Sequence, residues 1–273
     1  MTDPNMGYWK YEYNVLGELT TQTDAKGQIS TMKYDLLGRM THRSESGLTS
    51  TWAYDTLPKG VGKLSYASGS NGYRRDYTYD TYGRVSQETS LIGGTLYNIN
   101  TAYDSVGRIN TVTYPTGFKV KNVYNANNYL KEVDNATSNA IYWRADQVDA
   151  EGHVTNETLG NGITTRRVYT ATTGRINVIS AGTGGVGNVQ YQAFTFDTVG
   201  NLTGRNDTVN NVNETFGYDP LNRLTTATSL AFGTVTQQYD AVGNITYKSD
   251  VGTYTYDTAI RPNAVKSITG LQP

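Results

Sequence analysis

Carboxylates recur along this chain at a spacing that would suit a row of calcium ions. Asp35, Asp80, Asp104, Asp197, Asp219 and Asp240 each follow an aromatic residue. The sequence lacks the dense Gly-Gly-x-Gly-x-Asp ladder of calcium-binding repeats, and a turn-forming role accounts for every copy without metal. The only histidines, His42 and His153, lie far apart in sequence, form no dyad, and are each read as surface strand residues. Four arginines that follow a repeat glycine or lie near one, Arg39, Arg84, Arg108 and Arg175, have the charge to bind phosphate or a sugar acid. On a sheet they are expected instead to stack on a tyrosine or pair with an aspartate of the next repeat. Gly182-Thr183-Gly184-Gly185-Val186-Gly187 has the glycine content of a dinucleotide loop, but no strand-helix unit surrounds it. Asn-x-Thr triplets at Asn135, Asn156, Asn201, Asn206, Asn213 and Asn244 are what a Thr-rich chain with Asn in its turns produces by chance. No Ser/His/Asp set and no isolated carboxylate pair stands out. The expectation is a protein that is not an enzyme, with no catalytic residue, metal or cofactor.

What must position these side chains is a phrase, aromatic-Asp-x-x-Gly-(Arg/Asn)-hydrophobic, that returns about every 21 residues. It is clearest at Tyr34-Asp35 with Gly38-Arg39, Tyr79-Asp80 with Gly83-Arg84, and Tyr103-Asp104 with Gly107-Arg108. Phe196-Asp197 with Gly200, Tyr218-Asp219, and Tyr239-Asp240 with Gly243 continue it. These residues are read as a structural repeat motif. Degenerate copies occur: Tyr124-Asn125 has Asn for Asp, and Val148-Asp149-Ala150-Glu151-Gly152 loses the aromatic. In Asp-x-x-Gly the aspartate takes the first position of a type I turn and accepts hydrogen bonds from the turn's amides. The glycine takes the left-handed conformation that closes a hairpin loop with a bulge. Either side of the turn the residues alternate, as in Tyr77-Thr78-Tyr79 before it and Arg84-Val85-Ser86-Gln87 after it, so each repeat is one β-hairpin.

Composition narrows the function. A net charge of −1 gives no basic footprint for nucleic acid. Without cysteine there is no disulfide and no thiolate metal site. No apolar run reaches the ~18 residues of a membrane helix, and Met1 to Lys10 lack the pattern of a signal peptide. The 23 tyrosines against 5 phenylalanines suit strands whose rings are partly buried while their hydroxyls meet polar partners. The length allows a large core; if the Tyr79 ring lies in it, truncation to alanine would cost roughly 3–5 kcal/mol, and a cost below ~0.5 kcal/mol would place the ring on the outer surface.

About 12 hairpins make an all-β chain of roughly 24 strands, a single repeat domain over residues 1–273. Open sheets rarely exceed about ten strands without curling or splitting. One continuous antiparallel sheet, curved and spiralling, is therefore expected, with rings lining one face and stacking from repeat to repeat. The Gly-rich stretch at 181–187 is read as a long hairpin loop.

The repeated Tyr-Asp phrase resembles the Rhs/YD-repeat family from about Tyr8 to Asn263. The family includes bacterial Rhs and toxin-complex proteins and the animal teneurins. The resemblance implies a hollow shell wall that encloses a C-terminal toxin domain for delivery. Its implied partners are the remainder of the shell and the toxin, and its implied location is secreted or delivered to a cell surface. No segment matches the family's self-cleavage core, since Asp219-Pro220-Leu221-Asn222 reads as an ordinary repeat, and no toxin domain is recognised. The chain is expected to be a section of wall. Two other readings stand beside it: a Tyr-rich module that binds carbohydrate or cell surfaces, and self-association through unpaired sheet edges.

Overall fold

The computed structural model describes residues 1–257, 259 and 261–270, so the expected end of the repeat domain at Pro273 lies outside the described residues. All regular structure among them is β-strand. By contacts the chain divides into two compact units, Met1–Asn122 with Asn135–Asn139, and Val123–Asp134 with Ala140–Pro273.

The first unit opens with a small hairpin of Thr2–Asp3 and Gly7–Tyr8. From Lys10–Tyr13 onward each strand pairs antiparallel with the next in sequence, as far as Ile109–Thr113 against Lys119–Tyr124. The second unit repeats the plan from Leu130–Asn135 to Arg261–Thr269. Among the described residues neither unit closes on itself. Within the first, Lys10–Tyr13 pairs only with Leu19–Thr23; within the second, Arg261–Thr269 pairs only with Gly252–Asp257. Alternate turns of such a meander fall on opposite rims, so within each unit the turns that follow the motif aromatic share one rim, opposite the Asp24–Gly27 turn in the first unit. Each of these turns shifts the ladder by one residue, for example between Lys33 and Tyr34 and between Ala102 and Tyr103. That is the bulge the left-handed glycine imposes.

The expected core is not there. Met32 and Ala181, at 6% and 5% exposure, are the buried hydrophobic residues, and no large side chain is fully buried among the described residues. Within each unit the strands that touch are neighbours in sequence, so no second layer covers the sheet. Tyr79 is half-buried. In several repeats a guanidinium group, and not another ring, covers the motif ring, as Arg39 covers Tyr54 and Arg84 covers Tyr103. A single layer cannot stabilise itself by a shared interior, so the free energy has to come from each strand's contact with the next.

The Gly-rich stretch is only partly the expected loop: Ala181, Gly182 and Thr183 end the strand Ile176–Thr183, paired with Thr165, Thr164 and Ile163, and the loop to Gln190–Phe196 starts at Gly184. Gly184, Gly185 and Gly187 all have positive φ there.

Candidate functional site

The recurring residues build a junction between one hairpin and the next. It starts from the aspartate. Oδ1 of Asp80 accepts the amides of Tyr82 at 2.9 Å and Arg84 at 2.8 Å, and Oδ2 accepts Arg84 Nε at 2.7 Å. The Gly83 amide donates to the Asp80 carbonyl at 2.9 Å, which closes the type I turn. Gly83 has φ of 74°, and a Cβ there would lie 2.8 Å from Lys63 Nζ. Asp35, Asp104 and Asp219 hold the same three bonds to Leu37 and Arg39, Val106 and Arg108, and Leu221 and Arg223. In the turns of Asp197 and Asp240 the arginine is replaced by Asn201 and Asn244, whose Nδ2 reaches Oδ2 at 2.8 and 2.9 Å. Asn222 takes the glycine's place after Asp219 with φ of 59°, a conformation asparagine tolerates.

These contacts set the charge state. The backbone amide of Arg223 holds the Asp219 carboxyl below its usual range, helped by the Arg223 side chain and the Leu221 amide against burial. Around Asp80, burial pushes upward, but the backbone and side chain of Arg84 and the Tyr82 amide together outweigh it. Carboxylates so engaged stay ionised and have few free lone pairs for a cation. Among the described residues no three or more His, Asp or Glu side chains converge on a metal site.

Sequence reasoning did not foresee that the arginine pairs with the aspartate of its own turn. The same guanidinium also reaches the next repeat. Arg39 lies 4.4 Å from the Tyr54 ring centroid and bonds both carboxylate oxygens of Asp55. Arg84 lies 4.1 Å over Tyr103, Arg175 5.9 Å from Phe196, and Arg223 4.6 Å over Tyr239. A cation over a ring at a partly exposed site is worth about 0.5–1 kcal/mol.

The tyrosine hydroxyl completes the junction. Tyr34, Tyr54, Tyr79 and Tyr103 donate to the carbonyls of Leu19, Met40, Leu64 and Val85 at 2.6–3.1 Å. Tyr218, Tyr239 and Tyr256 do the same to Leu202, Leu224 and Ile245, each at 2.8 Å. The acceptor is always the residue that opens the strand after the previous Asp turn. This bond was missed from sequence, although the preference for Tyr over Phe at the position was its visible signal.

His153 is not the surface strand residue expected. It precedes the strand Val154–Leu159 and stands where other repeats have arginine. Its Nδ1 lies 2.9 Å from Asp149 Oδ2, and its ring stacks on Tyr169 with centroids 4.5 Å apart. His42 lies exposed on the strand Met40–Glu45. Among the described residues the hollows beside the Asp149 and Asp197 turns are open to solvent. The junction's groups bond to one another, and the arrangement couples strands.

Residues 13–49 match the family model RHS Repeat. The RHS match spans the Asp35–Gly38 turn described above, a preceding turn in which Asn14 takes the place of the aspartate, and the tyrosine that links them, Tyr34. Among solved structures, the crystal structure of TcdB2-TccC3 without its hypervariable C-terminal region is similar to 97% of the chain with a TM-score of 0.77 at 16% identity. The Photorhabdus luminescens Tc holotoxin pore, in a TccC3 point variant, is similar over 95% with a TM-score of 0.64 at 15% identity. At these identities the likeness is one of fold. The chain spans 16% of the length of each of those chains. No curated protein matches it.

Proposed function

We propose that this chain is a wall section of an Rhs-type shell, a non-enzymatic repeat sheet that encloses a toxin domain and carries it for delivery outside the producing cell. The observation that carries this reading is the junction itself. The distinctive side chains of the repeat are engaged in its own structure: Tyr and Arg reach from one hairpin to the next, and Asp holds the turn and its arginine in place. The likeness in fold to toxin-complex chains supports the same reading. The work of such a wall is physical: it separates an inactive or unfolded cargo from solvent. In this reading residues 1–273 are one repeat domain without a toxin domain or a self-cleavage core. The motif residues have structural roles, and the partners are further wall and the enclosed toxin.

Limited proteolysis tests it, in a polypeptide that carries this segment together with a toxin domain. The toxin is expected to resist protease while the junctions are intact and to become cleavable when Tyr218→Ala and Tyr239→Ala break two of them. A toxin domain cut equally fast in both proteins defeats the reading. So does specific turnover by this chain that one point substitution abolishes.

A second reading, a carbohydrate-binding face, has one observation in its favour. Tyr97, Tyr114 and Phe118 are exposed at the rim opposite the Asp turns, and the Tyr114 and Phe118 rings lie 6.0 Å apart. Saturable glycan binding lost in Tyr97→Ala and Tyr114→Ala would support it; a blank glycan array would end it.

A further inference from the structure

Between the strands Lys10–Tyr13 and Ile109–Thr113, every hairpin turn on the Asp rim of the first unit has an apolar tip. Leu16, Leu37, Tyr82 and Val106 hold the place before the glycine, and Val61 holds the corresponding tip of the longer turn that starts at Asp55. Their exposures run from 68% to 83%, and Val15 and Leu36 beside them are fully exposed. Apart from Tyr82, whose ring lies 4.9 Å from the Arg84 guanidinium, the turns make no use of these side chains. What each turn uses at this place is the amide, as in Leu37 N to Asp35 Oδ1 at 2.9 Å and Val106 N to Asp104 Oδ1 at 3.0 Å. Turn tips ordinarily hold Gly, Asn, Asp or Ser, and the opposite rim follows that habit with Lys26-Gly27, Ser46-Gly47, Asn71-Gly72 and Gly93-Gly94.

Two further features say what covers this rim. Successive tips are two strands apart, about 9.6 Å at the usual strand spacing. A surface that meets them in register must have the same period, as the same rim of another copy does. The charges beneath the tips are neutralised in place: Asp35, Asp80 and Asp104 each form an ion pair of 2.7 Å with the arginine of their own turn. Two identical rims therefore meet without a repelling sign. Single exposed apolar residues need no explanation, but a row of them marks a contact. Seven side chains this exposed offer area on the order of the ~800 Å² that each partner buries in a standard interface.

We propose that this rim docks against the same rim of a second copy of the chain, in a two-fold, self-complementary contact. The proposal does not depend on whether a toxin is enclosed, and it differs from pairing through strand edges, which uses backbone groups and not turn tips.

Sedimentation of the full chain over a concentration series tests it. The parent is expected to dimerise, and Leu37→Lys with Val106→Lys to remain monomeric with unchanged circular dichroism and melting. A second measurement does not depend on that variant folding. Because the chain has no cysteine, Val61→Cys and Ser46→Cys each give a single spin-label site, on the Asp rim and the opposite rim. Labels at Val61→Cys are expected to give a short distance between copies, and labels at Ser46→Cys a longer one. A parent that is monomeric at every concentration overturns the proposal. So does a dimer that survives the lysine substitutions in a folded variant, or one whose Ser46→Cys labels lie closer together.

Discussion

The hydroxyl of Tyr79 donates to the carbonyl of Leu64, 2.6 Å away and 15 residues earlier in the chain. The bond joins the second strand of one hairpin turn to the approach strand of the next. Tyr79→Phe removes it and leaves a partly buried carbonyl without that partner, so a loss of about 0.5–1.5 kcal/mol is expected. Tyr79→Ala also removes a half-buried ring, for about 1–3 kcal/mol in all, below the ~3–5 kcal/mol of a core aromatic. Urea unfolding of the three proteins checks both values. A Phe variant as stable as the parent would show that the hydroxyl contributes nothing.

Glycines at the Asp turns share a conformation but not an environment. A Cβ on Gly83 would meet Lys63 Nζ at 2.8 Å and the Lys59 carbonyl at 3.1 Å, whereas one on Gly243 would meet nothing within 4 Å. Both positions have positive φ, 74° and 97°. Gly243→Ala is expected to cost about 1–2 kcal/mol from the left-handed backbone alone, and Gly83→Ala more than that. Thermal melts rank them, and equal losses would contradict the account.

Acid should loosen the junctions. Asp35, Asp80, Asp104, Asp197, Asp219 and Asp240 all have carboxyls held below their ordinary range. A carboxyl with a lowered folded-state pKa contributes stability that is present above its unfolded value, near ~3.9, and is lost as pH falls through the folded value. Melting temperature is thus expected to fall steadily below about pH 4. Asp219→Asn keeps an oxygen for the turn amides, as Asn14 does in its own turn, and should flatten part of that dependence. Parallel pH profiles for parent and variant would contradict this.

The guanidinium-ring contact can be isolated by a double-mutant cycle. Arg223 pairs with Asp219 and covers Tyr239 at 4.6 Å. Arg223→Gln and Tyr239→Leu are expected to couple by about 0.5–1 kcal/mol. Additive losses would mean that the contact is geometry without energy.

The hairpin repeat was legible because its signals are local. Asp80 and Gly83 act within one turn, and the alternation of Tyr77, Thr78 and Tyr79 is visible along one strand. The register followed, since a hairpin with a bulged turn leaves little choice of pairing. The thin interior was not legible. Tyr and Val at alternate positions read equally well as core or as one layer, and only the absence of a covering element separates the two. The junction was half legible. Stacking of Arg84 on Tyr103 and pairing of Arg39 with Asp55 follow from residue type, but the pair with the arginine's own aspartate depends on how a five-residue loop folds the side chain back. His153 was misread although its repeat, Val148-Asp149 to Gly152, was recognised, because a histidine at the place of the arginine after the glycine is not part of the repeated phrase.

A sheet held only by adjacent strands has no keystone. Under tension applied across the strands it should give way one hairpin at a time, in a ladder of small force peaks, and not in a single rupture. The same independence makes its size a free variable: a whole hairpin spliced out at two matching turns leaves the donors and acceptors on either side able to find each other again.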